Sequence, residues 1–127
     1  MSERKTQLID GDLTEKVIGV CIDVSRELGS GFLESVYLNA LIIALTQAGM
    51  LVQKQMPLKV MFRGQVAGDF YPDLLVEDRL IIELKALKSL ASEHEAQLLN
   101  YLKATGIKVG LLVNFGRPRL EWKRLIY

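Results

Sequence analysis

The sequence predicts a single-domain α/β fold in which a mixed sheet is flanked by helices, in the order ααββββαββ. Three observations predict it. Apolar residues recur with a helical period before Gly49, and the texture then changes to short apolar runs divided by turn residues. One further helical stretch follows, and after it Val109 to Phe115 reads as the fully apolar strand expected at the middle of a sheet. Strands grouped before and after one helix argue for a sheet with helices packed on it.

Each element has its own signal. Residues 1–11 are polar and read as a flexible N-terminal segment, leaving residues 12–127 as the domain. Asp12 and Glu15 have the spacing of a helix capping box, and Leu13, Val17, Val20, Cys21, Val24 and Leu28 carry the helical period behind it. Gly29-Ser30-Gly31 breaks the chain. A second helix is expected from about Phe32 to Ala48, stopping at Gly49. Its nearly continuous apolar middle suggests burial on more than one side. Leu51 to Met56 and Leu58 to Phe62 read as strands, with Pro57 at a bend or an edge. Arg63-Gly64-Gln65 is a turn, and Val66 to Val76 and Leu80 to Leu87 are the next two strands. Ser92 and Glu95 repeat the capping-box spacing and open a helix that ends near Thr105-Gly106. Leu120 to Tyr127 forms a last, more exposed strand.

Composition narrows the function classes. The 127 residues fit one core, with half of them apolar and 24% charged, as in an ordinary globular protein. The formal net charge of +1 excludes a globally basic nucleic-acid footprint and leaves room for a local patch. Cys21 is the only cysteine, so no intramolecular disulfide forms, and in its apolar stretch it reads as a small core residue. The longest apolar run, Ala40 to Leu45, is too short to span a bilayer, so no membrane association is expected. The N-terminus lacks the apolar segment of a signal peptide, and a cytoplasmic protein is expected.

The hairpin around residues 72–86 holds the chemistry. Ionised groups are rarely left in a core unless paired or bound to a metal, yet Glu83 and Lys85 interrupt Leu80-Ile81-Ile82-Glu83-Leu84-Lys85. With a three-residue loop at Glu77-Asp78-Arg79, Val76 faces Leu80, Leu74 faces Ile82 and Asp73 faces Glu83. One face then carries Leu74, Val76, Leu80, Ile82 and Leu84, and the other brings Asp73, Glu83 and Lys85 together. A two-residue loop mixes apolar and charged residues on both faces, so burial selects the three-residue loop. Two carboxylates on adjacent strands make a hard-oxygen site suited to Mg²⁺ or Mn²⁺. Such an ion polarises a phosphate and activates water, and a nearby ammonium steadies the phosphate's charge. The bland alternative for Glu83 and Lys85 is a solvated surface pair of little energetic worth.

These residues resemble a known superfamily. Pro72-Asp73, followed a strand later by Glu83-Leu84-Lys85, is similar to the PD-(D/E)xK nuclease motif. Gly31-Phe32-Leu33-Glu34-Ser35-Val36-Tyr37 resembles the signature of the small GxxExxY proteins assigned to that superfamily. Gln97 and Tyr101 form a QxxxY pattern similar to that of its exonuclease-type branches. The resemblance implies a restriction-endonuclease-like core. It implies that Asp73 and Glu83 are metal ligands, that Lys85 is the catalytic lysine, and that Glu34 is the helical acid beside the metal. It also implies that Gln97 and Tyr101 organise the site or touch nucleic acid.

The residues themselves leave alternatives. Glu34 lies in the first turn of its helix, where a carboxylate also favours the dipole. Gln97 and Tyr101, four apart, share a helix face that also reads as a polar flank. His94 joins that face and is read as surface or structural rather than as a ligand. Arg117, Arg119, Lys123 and Arg124, with Trp122 among them, could follow a phosphate backbone and stack a base, or form an alternating exposed edge strand.

The expectation is therefore a Mg²⁺- or Mn²⁺-dependent nuclease acting on DNA in preference to RNA, with Glu34, Asp73, Glu83, Lys85, Gln97 and Tyr101 as site residues. The alternative is a catalytically silent nuclease-fold module that binds nucleic acid or protein. The wide apolar face of the second helix raises a homodimer as a further expectation.

Overall fold

A computed structural model describes residues 9–127, so part of the predicted flexible segment 1–11 lies outside the described residues. The chain forms helix α1 (Gly11–Leu28), helix α2 (Glu34–Gln47), and strands β1 (Val52–Lys54), β2 (Leu58–Phe62), β3 (Gln65–Phe70), β4 (Leu74–Val76) and β5 (Leu80–Lys85). Helix α3 (Ser92–Thr105) and strands β6 (Val109–Asn114) and β7 (Glu121–Ile126) complete it. A five-stranded sheet has the order β1-β4-β5-β6-β7, and β2 and β3 form a separate two-stranded ribbon. Only the β5–β6 pair in the main sheet is parallel. The mixed sheet flanked by helices is as expected.

The sheet separates two cores. One face contributes Leu74, Val76, Leu80, Ile82, Leu84, Leu111 and Val113 to a cluster with α1 and α2. From α1 come Leu13, Val17, Cys21 and Val24, at helical spacing, and burial pushes the Cys21 thiol up to about 12. The other face presents Leu75, Ile81 and Leu112 to Leu98 and Leu102 of α3 and to Phe70. Residues that alternate along β4 and β5 thus serve opposite layers, as the pleat requires.

Several expectations change. The predicted strand Val66–Val76 is two strands in two sheets, giving the order ααβββββαββ. Pro72 lies at the break: it has no N–H to give to a ladder, and the chain leaves the ribbon there to join the main sheet. Strand β1 is shorter than predicted and stops before Gln55, which has a left-handed φ of 49°. The capping box at Asp12 and Glu15 does not set the start of α1. Asp10 precedes Gly11 with a φ of 51° and no side-chain cap, and instead its Oδ1 accepts from Arg79 Nε at 2.7 Å. The capping pattern at α3 sits one residue earlier than predicted. The Ala91 N–H donates to His94 Nδ1 at 3.0 Å and the His94 N–H to the Ala91 carbonyl at 3.0 Å, so His94 is a structural residue. Gly106 closes that helix in a left-handed conformation, as expected.

Helix α2 is not buried on more than one side within the chain. Only Tyr37, Leu38, Leu41 and Leu45 are buried, while Ile43 is 58% exposed. The architecture gives α2 one sheet face and one neighbouring helix, which a single stripe satisfies. Strand β6 is also not wholly apolar: Asn114 is fully buried at its end. Among the described residues, no helix is long and apolar enough to cross a membrane.

Candidate active site

The hairpin register is the predicted one, with Leu74 opposite Ile82, Leu75 opposite Ile81 and Val76 opposite Leu80. Asp73 and Glu83 therefore come to the same face one step beyond the paired residues, and their side chains are fixed by each other's strand. The Asp73 N–H donates to Glu83 Oε1 at 3.2 Å, and the Leu84 N–H donates to Asp73 Oδ2 at 2.8 Å. On its other side the Asp73 carbonyl accepts from the Gln55 N–H at 3.2 Å, which ties the start of β4 to β1. Each carboxylate spends one oxygen on backbone and keeps the other free of hydrogen bonds to described residues.

Electrostatics mark this group as a unit. Burial, then the Asp73 charge, push the Glu83 carboxyl up to about 7, against the opposing pull of the Asp73 N–H and the Lys85 ammonium. Burial raises Asp73 as well, opposed by the Leu84 N–H and by Lys85. Glu34, in the first turn of α2, is raised by burial and by the Asp73 charge and lowered by Lys85. Glu34, Asp73, Glu83 and Lys85 are thus near enough for their charges to act on one another, with a net surplus of negative charge. Glu34 is coupled to the others through its charge and makes no hydrogen bond to them. Among the described residues, no group of three or more carboxylate, imidazole or thiol side chains is arranged to hold a metal ion, so Glu34 does not join Asp73 and Glu83 in a three-carboxylate ligand set. The donor set of partly buried carboxylates, raised first by burial and, for Glu83 and Glu34, also by the neighbouring Asp73 charge, keeps free oxygens that fit a hard divalent cation, whose charge favours their ionised forms.

Tyr37 places Glu34, a role the sequence did not assign. Its ring is fully buried and stacks on Phe115 with centroids 5.0 Å apart. The hydroxyl donates to the Gly29 carbonyl at 2.6 Å and accepts from the Phe32 N–H at 3.2 Å. One phenol therefore ties the Gly29–Phe32 loop to the first turn of α2. Glu34 and Tyr37 differ in burial: the Tyr37 ring is core, whereas residue 34 is exposed overall with its carboxyl only partly withdrawn from water.

Gln97 and Tyr101 do pair, with Gln97 Nε2 donating to the Tyr101 hydroxyl at 3.2 Å. Tyr101 also stacks on Phe70 with centroids 3.6 Å apart, just before the Tyr71-Pro72-Asp73 corner. Neither residue makes a hydrogen bond to Asp73, Glu83, Lys85 or Glu34.

The exit of β5 is held by a polar knot that sequence reasoning missed. Asn114 lies beside Lys85 in the parallel ladder. Its Oδ1 accepts from the Leu87 N–H at 2.8 Å and the Gly116 N–H at 3.0 Å, and its Nδ2 donates to the Leu87 carbonyl and to Glu121 Oε1, both at 3.0 Å. Glu121 Oε1 also accepts from the Leu90 N–H at 3.1 Å. The signal available was a lone amide in an apolar run, two residues before a glycine. The basic segment does not lie on one face. Trp122 and Arg124 oppose Val113 and Leu111 on the α1 side, whereas Lys123 opposes Leu112 on the α3 side.

Comparison with known proteins gives the family and the fold. A family model described as the PD-(D/E)XK nuclease superfamily matches residues 11–125. The chain belongs to the PD-(D/E)XK nuclease superfamily. No curated protein matches it. Among solved structures, an alkaline exonuclease, LHK-Exo, from Laribacter hongkongensis is similar with a TM-score of 0.53 and 17% identity, over 72% of this chain and 55% of that one. LHK-Exo in complex with dAMP gives a TM-score of 0.48 and 14% identity, over 84% and 75%. The former likeness is one of fold, and this chain spans about half of that exonuclease's length, 55%.

Proposed function

We propose that this chain is a metal-dependent nuclease of the GxxExxY type that hydrolyses phosphodiester bonds, in DNA before RNA. The observation that carries the reading is the pair of backbone-locked carboxylates, Asp73 and Glu83, facing Lys85 at one end of the sheet. Membership of a nuclease superfamily supports it, and a nuclease fold implies a nucleic-acid substrate. Asp73 and Glu83 would hold Mg²⁺ or Mn²⁺ through the oxygens not engaged by backbone, with Glu34 completing the charge set. The bound ion supplies a Lewis acid and a water of lowered pKa. Lys85 orients the attacking water and steadies charge developing on the phosphate oxygens. Gln97 and Tyr101, joined on α3, support the approach of the strand from the ribbon side. The preference for DNA draws on the likeness to exonuclease-type branches, and the protein is expected to act in the cytoplasm.

The test is a panel of single-stranded, duplex and branched DNA and RNA incubated with purified protein and Mg²⁺ or Mn²⁺. Metal-stimulated nicking or degradation is expected, with DNA cut faster. Equal activity in Asp73→Asn and wild type removes the assignment.

A second reading is a catalytically silent binding module that self-associates. The exposed apolar side of α2, with Leu33 at 76% and Ile43 at 58% exposure, favours a homodimer under either reading. Sedimentation at high concentration tests it: a strictly monomeric mass rejects the dimer, and binding without cleavage across the panel selects the silent module.

A further inference from the structure

Arg119 and Trp122 of the C-terminal segment, unused by the nuclease chemistry, belong to a second feature at the same end of the sheet. Strands β5 and β6 are parallel and end together, with Lys85 opposite Asn114 and the Phe115 N–H donating to the Lys85 carbonyl at 2.8 Å. The loop from Phe115 to Leu120 therefore starts beside the candidate active site. The C-terminal end of α1 is brought to that rim by Tyr37, which bonds Gly29 and stacks on Phe115. Between α1 and the loop lies a cleft of about 300 Å³, bordered by Ile22, Ser25, Arg26, Arg119, Leu120 and Trp122.

Its chemistry is specific. Two guanidinium groups line it, no carboxylate does, and neither Arg26 nor Arg119 has an ion-pair partner among the described residues. Trp122 is 43% exposed, so an indole surface is available beside the two cations. The volume is at the small end for ligand sites, suited to one planar group and its charged linkage rather than to a large ligand. Guanidinium groups fit phosphate oxygens, and an indole face takes any nucleobase.

We infer that the Arg26–Arg119–Trp122 cleft is a nucleic-acid subsite. It holds one nucleotide of a single strand, with the phosphate on the arginines and the base on Trp122, and so leads the strand along the rim from the carboxylates. This rests on the nuclease reading for the direction of the strand. The contact itself does not depend on cleavage.

Trp122 is the single tryptophan of the chain, and because it also borders an apolar pocket with Ile18 and Arg124, the arginine variants assign a fluorescence change to this cleft. The experiment titrates wild-type protein with an octathymidylate in chelator, where no cleavage occurs, and repeats it with deoxythymidine monophosphate. Saturable quenching by the strand is expected, with much weaker binding of the mononucleotide. The double variant Arg26→Ala, Arg119→Ala should bind at least about 10-fold more weakly, and the slope of log affinity against log salt should fall by about 0.7, the value for one phosphate contact on a single strand. Arg26→Lys, Arg119→Lys should keep most of that slope. An unchanged melting temperature in these variants shows that the fold is intact. No quenching, or quenching and a salt slope untouched by the double alanine variant, overturns the proposal. A mononucleotide that binds as tightly as the strand also overturns it, since the cleft is then a nucleotide site off the strand's path. Asp73→Asn separates the two readings. Quenching with no cleavage by any form of the protein rejects the nuclease and leaves the cleft, whereas cleavage with no arginine-dependent binding rejects the cleft and leaves the nuclease.

Discussion

Asp73 and Glu83 each take a hydrogen bond at the other's strand: Glu83 Oε1 receives the Asp73 N–H, and Asp73 Oδ2 receives the N–H of Leu84, the residue after Glu83. The carboxylates are thus aimed by backbone before any ligand arrives, the preorganisation that an electrostatic site requires.

That exchange separates isosteric from truncating substitutions. Asp73→Asn keeps an oxygen to accept the Leu84 N–H and should unfold close to wild type while losing cleavage. Asp73→Ala orphans that N–H and should also cost about 1–3 kcal/mol of stability. Lys85→Met, which leaves both bonds in place, should lower kcat by about 10²–10³-fold with little change in stability. Urea unfolding and single-turnover cleavage read the two effects.

The partly buried acids make the metal-free protein pH-sensitive. The Glu83 carboxyl titrates at about 7 in the folded chain and near 4.5 otherwise, so the fold binds its proton more tightly. The stabilising contribution of the protonated form is fully present below pH about 4.5 and is lost as pH rises through about 7. It amounts to roughly 3 kcal/mol. Asp73 and Glu34 are raised and act in the same direction. Thermal unfolding in chelator should show the melting temperature falling over this window, and Glu83→Gln should flatten the slope. Added Mn²⁺ should restore stability most at the alkaline end.

Gly116 and Gly110 give different expectations for the same change to alanine. A Cβ on Gly116 would lie 2.2 Å from the Leu87 carbonyl oxygen and 2.3 Å from its nitrogen, both backbone. Gly116→Ala should cost more than about 4 kcal/mol or prevent folding. A Cβ on Gly110 is nearest to Leu98 side-chain atoms at 3.2–3.3 Å, which must shift by a few tenths of an ångström within the core, so Gly110→Ala should cost about 1–3 kcal/mol and still fold. Expression yield and melting temperature compare them.

Tyr37→Phe keeps the stack on Phe115 and removes the hydroxyl that ties Gly29 to Phe32. The expected cost is about 1–2 kcal/mol, with faster amide exchange at Phe32 and a loss of activity through Glu34. Unchanged exchange at Phe32 would count against this role for the phenol.

The acidic hairpin was legible because only one loop length sorts its apolar and charged residues onto separate faces, and burial enforces that sorting. The break at Pro72 was not, since Val66 to Phe70 and Leu74 to Val76 read as one extended run, and nothing local tells which sheet each half joins. Helix α2 misled for a related reason: its sequence is apolar around most of its circumference, and exposure is decided by how many layers the fold supplies. The caps at Asp12 and Ser92 failed because spacing was satisfied while neighbouring residues had better partners, Arg79 for Asp10 and Ala91 for His94. The knot around Asn114 joins residues 27 apart in sequence, a closure that no local pattern contains.

The turn at Glu77–Arg79 sits at the opposite margin of the sheet from Lys85, where Glu77 Oε2 accepts from the Leu51 N–H and Arg79 meets Asp10. The molecule therefore has an anchoring pole and a pole that carries the carboxylates, with the strands as spacers between them. A dye or affinity handle attached at Asp78, which is exposed in that turn, would report on the whole particle while staying clear of anything that docks at the far margin.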